Sequence, residues 1–414
     1  MLADNTIRKV DANSFNGLDS LLELNLQENK IRELPSEVFS QLASLTNLNL
    51  KSNKLKNLPN GIFIDLLNLE KLDLGSNQLE EIGKDDLINP KLIELHLESN
   101  DLHAIHENAF GELRALQKLY LSGNNLVELE NVFEEVHTLE VLDLDCNKIK
   151  KLPNLKRLAN LKQLSLNENF VDELRQDDFE GMDNLILLGL KVNKLKHLDS
   201  NLFRHLPLLR VLDLASNNVN DLVTETFQGL QELRALDLSK NNIRKLGEGC
   251  FKGLESLTML NLGSNRITEI TKETFEDISG LISLLLNDNK IHKLNQNAFE
   301  QFERLKLLNL TNNDLMLKID GHFDKIKNLR CLYLRGNYIR HLEKICGEEL
   351  PYLKFLDISD CNVDEVGPEV FNNLPGLCFV KFTSNYLDQK ELMALKDQYG
   401  NVTFLDDTQL PYVL

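Results

Sequence analysis

Apolar residues along this chain follow one recurring order: Leu-x-x-Leu-x-Leu, two intervening positions, Asn, one variable position, then a further Leu or Ile. It reads Leu21, Leu24, Leu26, Asn29 and Ile31. It returns as Leu45, Leu48, Leu50, Asn53 and Leu55, and again as Leu69, Leu72, Leu74, Asn77 and Leu79. The asparagine then falls at 100, 124, 147, 169, 193, 217, 241, 265, 289, 313, 337 and 385, with Cys361 once in its place. Most steps are 24 residues; those ending at 100, 147 and 169 are 23, 23 and 22. Further along each unit comes a second apolar position, filled by Phe15, Phe39, Phe63, Leu87, Phe110, Phe133, Phe179, Phe203, Phe227, Phe251, Phe275, Phe299, Phe323 and Phe371.

Leu-x-Leu alternates with a period of two, which predicts a short strand with its leucines turned inward. Each strand comes back after a full turn of chain, so neighbouring strands pair in parallel. The asparagine sits where the chain leaves the strand. Its amide both donates and accepts, and so can pair the backbone groups of adjacent turns that burial would otherwise leave orphaned. The phenylalanine fills the space beneath the outer segment. One unit cannot bury its own leucines, so stability comes from stacking neighbours.

These motifs resemble the leucine-rich repeat family, specifically its class of 24-residue units, over nearly the whole chain from about Asn5 to Leu387. The resemblance implies an α/β repeat solenoid, a leucine-rich-repeat horseshoe with a parallel β-sheet on its concave face. It also implies that other proteins bind that face, although a family alone names no ligand. Extracellular members of this class usually carry cysteine-rich caps, and this chain shows none. The unit from about Leu342 to Cys361 is irregular, with Gly347 where Phe is expected, and Leu155 stands in the Phe region of the short unit before Asn169.

The expected organisation is a solenoid of about seventeen units over residues 1–387, followed by a cap over 388–414. Leu2 and Asn5 fall late in their unit, so the chain opens mid-repeat, and a start trimmed from a longer chain is the favoured reading. In the cap, Asp388-x-x-Glu391 reads as a helix start. Leu392, Leu395 and Tyr399 give that helix an apolar face, and Val402 to Leu405 suit a last strand.

Charge narrows the function. The 46 Lys and Arg residues face 64 Asp and Glu, a formal net charge of −18. General binding to nucleic acid or an anionic membrane needs the opposite sign. No apolar run approaches the length of a membrane span. The six cysteines are scattered without a CxxC pair, which predicts free thiols, no zinc site and a cytoplasmic setting, with an extracellular one as the alternative. No phosphate-binding Gly loop, G-x-S-x-G or H-E-x-x-H motif is present, so no catalysis, cofactor or metal is expected. His96, His103 and His106 are better explained as surface residues than as metal ligands.

Candidate contact residues lie on the expected concave face. Its N-terminal part, with Glu94, His96, Glu98, Lys118, Tyr120 and Asp143, is polar and mainly acidic. Its C-terminal part carries Tyr333, Arg335, Phe355, Asp357, Phe379 and Lys381. Tyr and Arg are residue types that carry binding energy at interfaces, so this aromatic patch is the expected partner site, with His96 and Tyr120 as further contacts. Asp73, Asp213 and Asp237, between strand leucines, read as solubilising surface. A basic stripe follows the asparagines and includes Arg244, Lys245, Arg266 and Lys290; it reads as a solvated face that a polyanion could use. The function expected is a non-catalytic scaffold for protein–protein recognition. The alternatives are a receptor ectodomain with trimmed caps and the recognition arm of a larger bacterial effector.

Overall fold

The structure is a computed structural model that describes residues 2–316, 321–406, 408 and 409; Met1, Asp407 and residues 410–414 of the expected cap lie outside them. The chain divides into two compact units, Met1–Leu195 with Phe203–Leu209, and Lys196–Leu202 with Arg210–Leu414.

The first unit is a solenoid stack. Its inner strands are Glu23–Asn25, Asn47–Asn49, Lys71–Asp73, Glu94–His96, Lys118–Tyr120, Val141–Asp143, Gln163–Ser165 and Leu187–Gly189. Each pairs in parallel with the next, and the central leucines stay in register from Leu24 and Leu48 to Leu164 and Leu188. The second unit repeats this with Val211–Asp213, Ala235–Asp237, Met259–Asn261, Ser283–Leu285, Leu307–Asn309, Cys331–Tyr333, Phe355–Asp357, Phe379–Lys381 and Thr403–Leu405. The central residue of each strand is buried in the stack up to Val380, and the residues on either side of it point to the opposite face.

The asparagine position is a hydrogen-bonded ladder. Asn241 Nδ2 donates to the Leu214 and Leu238 carbonyls, both at 3.0 Å, and its Oδ1 accepts from Val219 N at 3.0 Å. Asn53 does the same with Leu26, Leu50 and Ile31. One side chain thus satisfies groups of two turns, which explains why a polar residue is buried at this position. Cys361 keeps part of the role. Its thiol donates to Leu334 O at 3.2 Å, while Ile339 N, lacking an Asn oxygen, turns to Cys361 O at 2.9 Å.

The residue before each ladder position adopts left-handed backbone, with φ between 52° and 57° for Glu28, Ser52, Ser76, Ser99, Cys146, Glu168, Ser216 and others, and 67° and 69° for Gly123 and Gly336. Even β-branched Val192 does so, at φ 55°. The strained turn is held because its N–H reaches the next strand's exit, as in Ser52 N to Gly75 O at 2.9 Å.

On the other side, the phenylalanine rings stack from turn to turn. Phe15, Phe39 and Phe63 lie 6.1 and 6.2 Å apart, and Phe227, Phe251 and Phe275 lie 6.4 and 5.9 Å apart. Leu87 and Leu155 fill the same space and are buried. In the irregular unit Ile345 and Cys346 are buried close to Gly347, where Phe is missing. The outer segments are successive turns, joined in places by two-residue parallel bridges such as Asp221–Leu222 with Lys245–Leu246. The helix Gln389–Gln398 starts at Asp388, whose carboxylate accepts from Glu391 N. Beyond the helix, Tyr399 packs edge-on against Phe371 at 5.1 Å, and Thr403–Leu405 continues the sheet, with Phe404 opposite Val380.

Candidate binding face

The residues between the strand leucines have two distinct fates. Asp and Asn at the strand exit bend back onto the backbone two residues on. Asp73 Oδ1 accepts from Gly75 N at 2.9 Å, Asp237 Oδ1 from Ser239 N at 2.8 Å, and Asn261 Oδ1 from Gly263 N at 3.0 Å. Asp213 does likewise with Ala215 N at 3.0 Å. Beyond their place on the surface, these carboxylates each tie down the turn leaving their strand.

In the first unit, parallel pairing sets Asp73, His96 and Tyr120 side by side. His96 is clamped: its Nε2 is 2.8 Å from Glu94 Oε1 and its Nδ1 3.2 Å from Glu98 Oε2. The Tyr120 ring stacks on the imidazole with centroids 4.5 Å apart and planes 15° from parallel. Lys71 and Lys118 also reach Glu94, and Lys51 reaches Glu98 at 3.1 Å. Gly75 makes room, because a Cβ there would sit 2.8 Å from Glu98 Oε1. The side chains of Glu94, His96 and Glu98 are only 19%, 18% and 20% exposed.

Burial by itself raises the pKa of both carboxyls. Hydrogen bonds outweigh it, from His96 and the lysines to Glu94, and from His96, the backbone and Lys51 to Glu98, and each carboxyl is pushed down to about 2. Burial lowers the imidazole's pKa, but Glu98 and Glu94 more than reverse this, and His96 titrates above its ordinary value. Asp143 on the same face is shifted upward, chiefly by burial.

The second unit brings Tyr333, Arg335, Phe355, Asp357, Phe379 and Lys381 onto neighbouring strands and their exits, with Cys331, Phe355 and Phe379 in one row and Tyr333, Asp357 and Lys381 in the next. They do not form an open aromatic surface. Phe355 is 1%, Asp357 7% and Lys381 6% exposed, whereas Tyr333, Arg335 and Phe379 are half-buried. The Tyr333 ring lies 5.1 Å from that of Phe355 and tilted by 56°. Strands about 5 Å apart bring large side chains into contact across the row, so each covers its neighbour. Asp357 is spent on Ser359, whose N and Oγ both donate to it.

Among the described residues, no group of three or more His, Cys, Asp or Glu is arranged to hold a metal ion, and no helix is long and apolar enough to cross a membrane. All six cysteines are free.

Comparison with known proteins follows the same repeats. The leucine rich repeat profile matches residues 1–55, 43–89, 68–126, 90–149, 159–219, 208–267 and 257–315, and a second one matches 352–374. The chain is 40% identical over 65 residues to protein phosphatase 1 regulatory subunit SDS22 of Saccharomyces cerevisiae, a stretch covering 15% of this chain and 19% of that protein. Curated relatives are matched over only 9% and 19% of their length. A leucine-rich repeat protein of Leptospira interrogans superposes with a TM-score of 0.69 and 25% identity, over 97% of this chain and 100% of that one. The Drosophila Toll–Spatzle complex includes a chain similar at a TM-score of 0.69 and 25% identity, over 92% of this chain and 49% of that one. Ladder, ring stack, parallel strands and profile agree: this chain belongs to the leucine-rich repeat family.

Proposed function

We propose that the chain is a non-catalytic recognition scaffold that binds a protein partner on the outward face of its parallel strands. The observation that carries this reading is the His96–Tyr120 stack. His96 is held by Glu94 and Glu98, which three lysines brace in turn, and Tyr120 stacks on the fixed imidazole, so little side-chain entropy is lost when a partner covers them. In the second unit, Tyr333, Arg335 and Phe379 serve as contacts, while Phe355, Asp357 and Lys381 support them from beneath. The similarity to a phosphatase regulatory subunit and to a chain of the Toll–Spatzle complex supports a role in assembly with other proteins. Free, partly exposed thiols suit a reducing, cytoplasmic compartment.

The test is capture of partners from lysate with mass spectrometry, followed by affinity measurements on the purified pair. Tyr120→Ala and Tyr333→Ala should each weaken binding about tenfold, roughly 1.4 kcal/mol. Phe355→Ser should instead lower the unfolding midpoint, because its ring is buried. Unchanged affinity in both tyrosine variants would rule out the strand face as the contact surface.

A further inference from the structure

We propose that a groove on the second unit, beside the turns that follow the ladder asparagines, binds a short acidic segment of a protein partner in extended conformation. The groove is open, about 350 Å³ in volume, and lined by Arg244, Lys245, Arg266, Thr268 and Lys290. Arg266 and Lys290 each come directly after a ladder asparagine, and Arg244 comes three residues after one. Arg266 N donates to Ile243 O and Lys290 N to Ile267 O, both at 2.9 Å. The turns are therefore bonded one to the next, which sets these two cations on backbone about 5 Å apart.

All four cations are exposed, and among the described residues none has an acidic group within 4.0 Å. This departs from the pattern elsewhere. Residues a turn apart commonly join opposite charges, as in Lys56 with Glu80, Lys156 with Glu180, Lys325 with Glu348 and Arg340 with Asp364. Arg266 above Lys290 sets like charges together instead. In a chain of net charge −18, cations gathered around a groove and not engaged in ion pairs among the described residues make an anion-attracting site.

The surroundings set the length of the ligand. Glu269, which lies 3.9 Å from Lys293, and Asp221, paired in register with Lys245, flank the groove, and Asp314 follows the next ladder asparagine. A long polyanion would run onto these carboxylates and the acidic surface beyond. Stacking sets Arg244 and Thr268 in one row and Arg266 and Lys290 in another, each pair about 5 Å apart from turn to turn. In an extended segment alternate side chains share one face about 6.6 Å apart, so a run of four carboxylates turns two of them toward Arg266 and Lys290, with Arg244 and the Thr268 hydroxyl in the adjoining row as further donors. The groove is separate from the strand face, so its occupancy does not depend on His96 or Tyr120.

The experiment is fluorescence anisotropy of the full chain with a labelled peptide of four glutamates flanked by glycine and serine, at low and at physiological salt. Binding at low salt that weakens about tenfold with added salt is expected. The pair Arg266→Gln with Lys290→Gln should lose about tenfold in affinity. Lys156→Gln with Lys162→Gln removes the same charge from ion-paired positions. Lys30→Gln with Lys54→Gln removes it from a similar stack in the first unit, where the neighbouring Lys56 is neutralised by Glu80. Both control pairs should stay within about twofold, as should His96→Ala. Equal losses in the control pairs would show undirected charge attraction and overturn the site. So would absence of binding at low salt, or tighter binding of a heparin fragment or single-stranded DNA than of the peptide.

Discussion

The ladder asparagine matters because its amide carries both a donor and an acceptor at one buried point. Leucine could fill the volume at Asn241, but it would orphan the carbonyls of Leu214 and Leu238 and the N–H of Val219. Asn241→Ala should therefore destabilise the protein by about 1–3 kcal/mol, read as a lower urea or thermal midpoint. Unfolding of a long repeat array need not be two-state, so the midpoint is the sounder readout. An unchanged midpoint would mean that the ladder bonds carry no net stability. Cys361 marks the minimum requirement: a weak donor suffices where the residue's own carbonyl takes over as acceptor.

Strand pairing turns single side chains into a network. His96 lies between Asp73 and Tyr120 on paired strands, and its two carboxylate partners stand one either side of it in the chain. The pH dependence follows from the signs. His96 has a folded-state pKa above 6.5, so its bound proton stabilises the fold below the unfolded value. That contribution disappears as pH rises through the folded value. Glu94 and Glu98, pushed down from 4.5 to about 2, stabilise above the unfolded value and lose their contribution as pH falls toward about 2. Nuclear magnetic resonance titration should find the His96 imidazole above 6.5, moving down in Glu94→Gln and in Glu98→Gln. A midpoint at or below the ordinary histidine value in the wild type would sink this account of the clamp.

Over the whole chain, charge and thiol chemistry are the properties most open to measurement. Cys146 and Cys378 are exposed, and Cys250, Cys331, Cys346 and Cys361 are buried. Burial pushes the thiols of Cys250, Cys346 and Cys361 up to about 12, against a slight pull from nearby backbone N–H groups. Since the thiolate is the reactive form, alkylation of the folded, unreduced protein should label Cys378 first, Cys146 more slowly because burial and Glu168 raise its pKa, and the other four only on unfolding. Fewer than six labels after denaturation would reveal a disulfide and favour an extracellular setting.

The sequence alone determined the repeat, the direction of the strands, the ladder and the ring stack, because each depends on residue type at a fixed period. Leu24, Asn53 and Phe39 were legible for that reason, and so was the helix start at Asp388. Tertiary structure alone decided which polar positions are structural and which remain available for contact. Asp73 and Asp213 read as surface until their exit-turn hydrogen bonds are seen. Phe355, Asp357 and Lys381 occupy outward positions by period, yet burial depends on the size of neighbours a full turn away in sequence. Val192 in left-handed backbone has no local signal either; the residues on both sides of it, Lys191 and Asn193, are bonded to the preceding turn and fix the bend against its own preference. The His96 clamp belongs to the same class, since Lys51, Lys71 and Lys118 reach it from three other turns of chain. Periodicity reports what every unit must do, whereas a contact surface arises from what neighbouring units do differently once they are stacked.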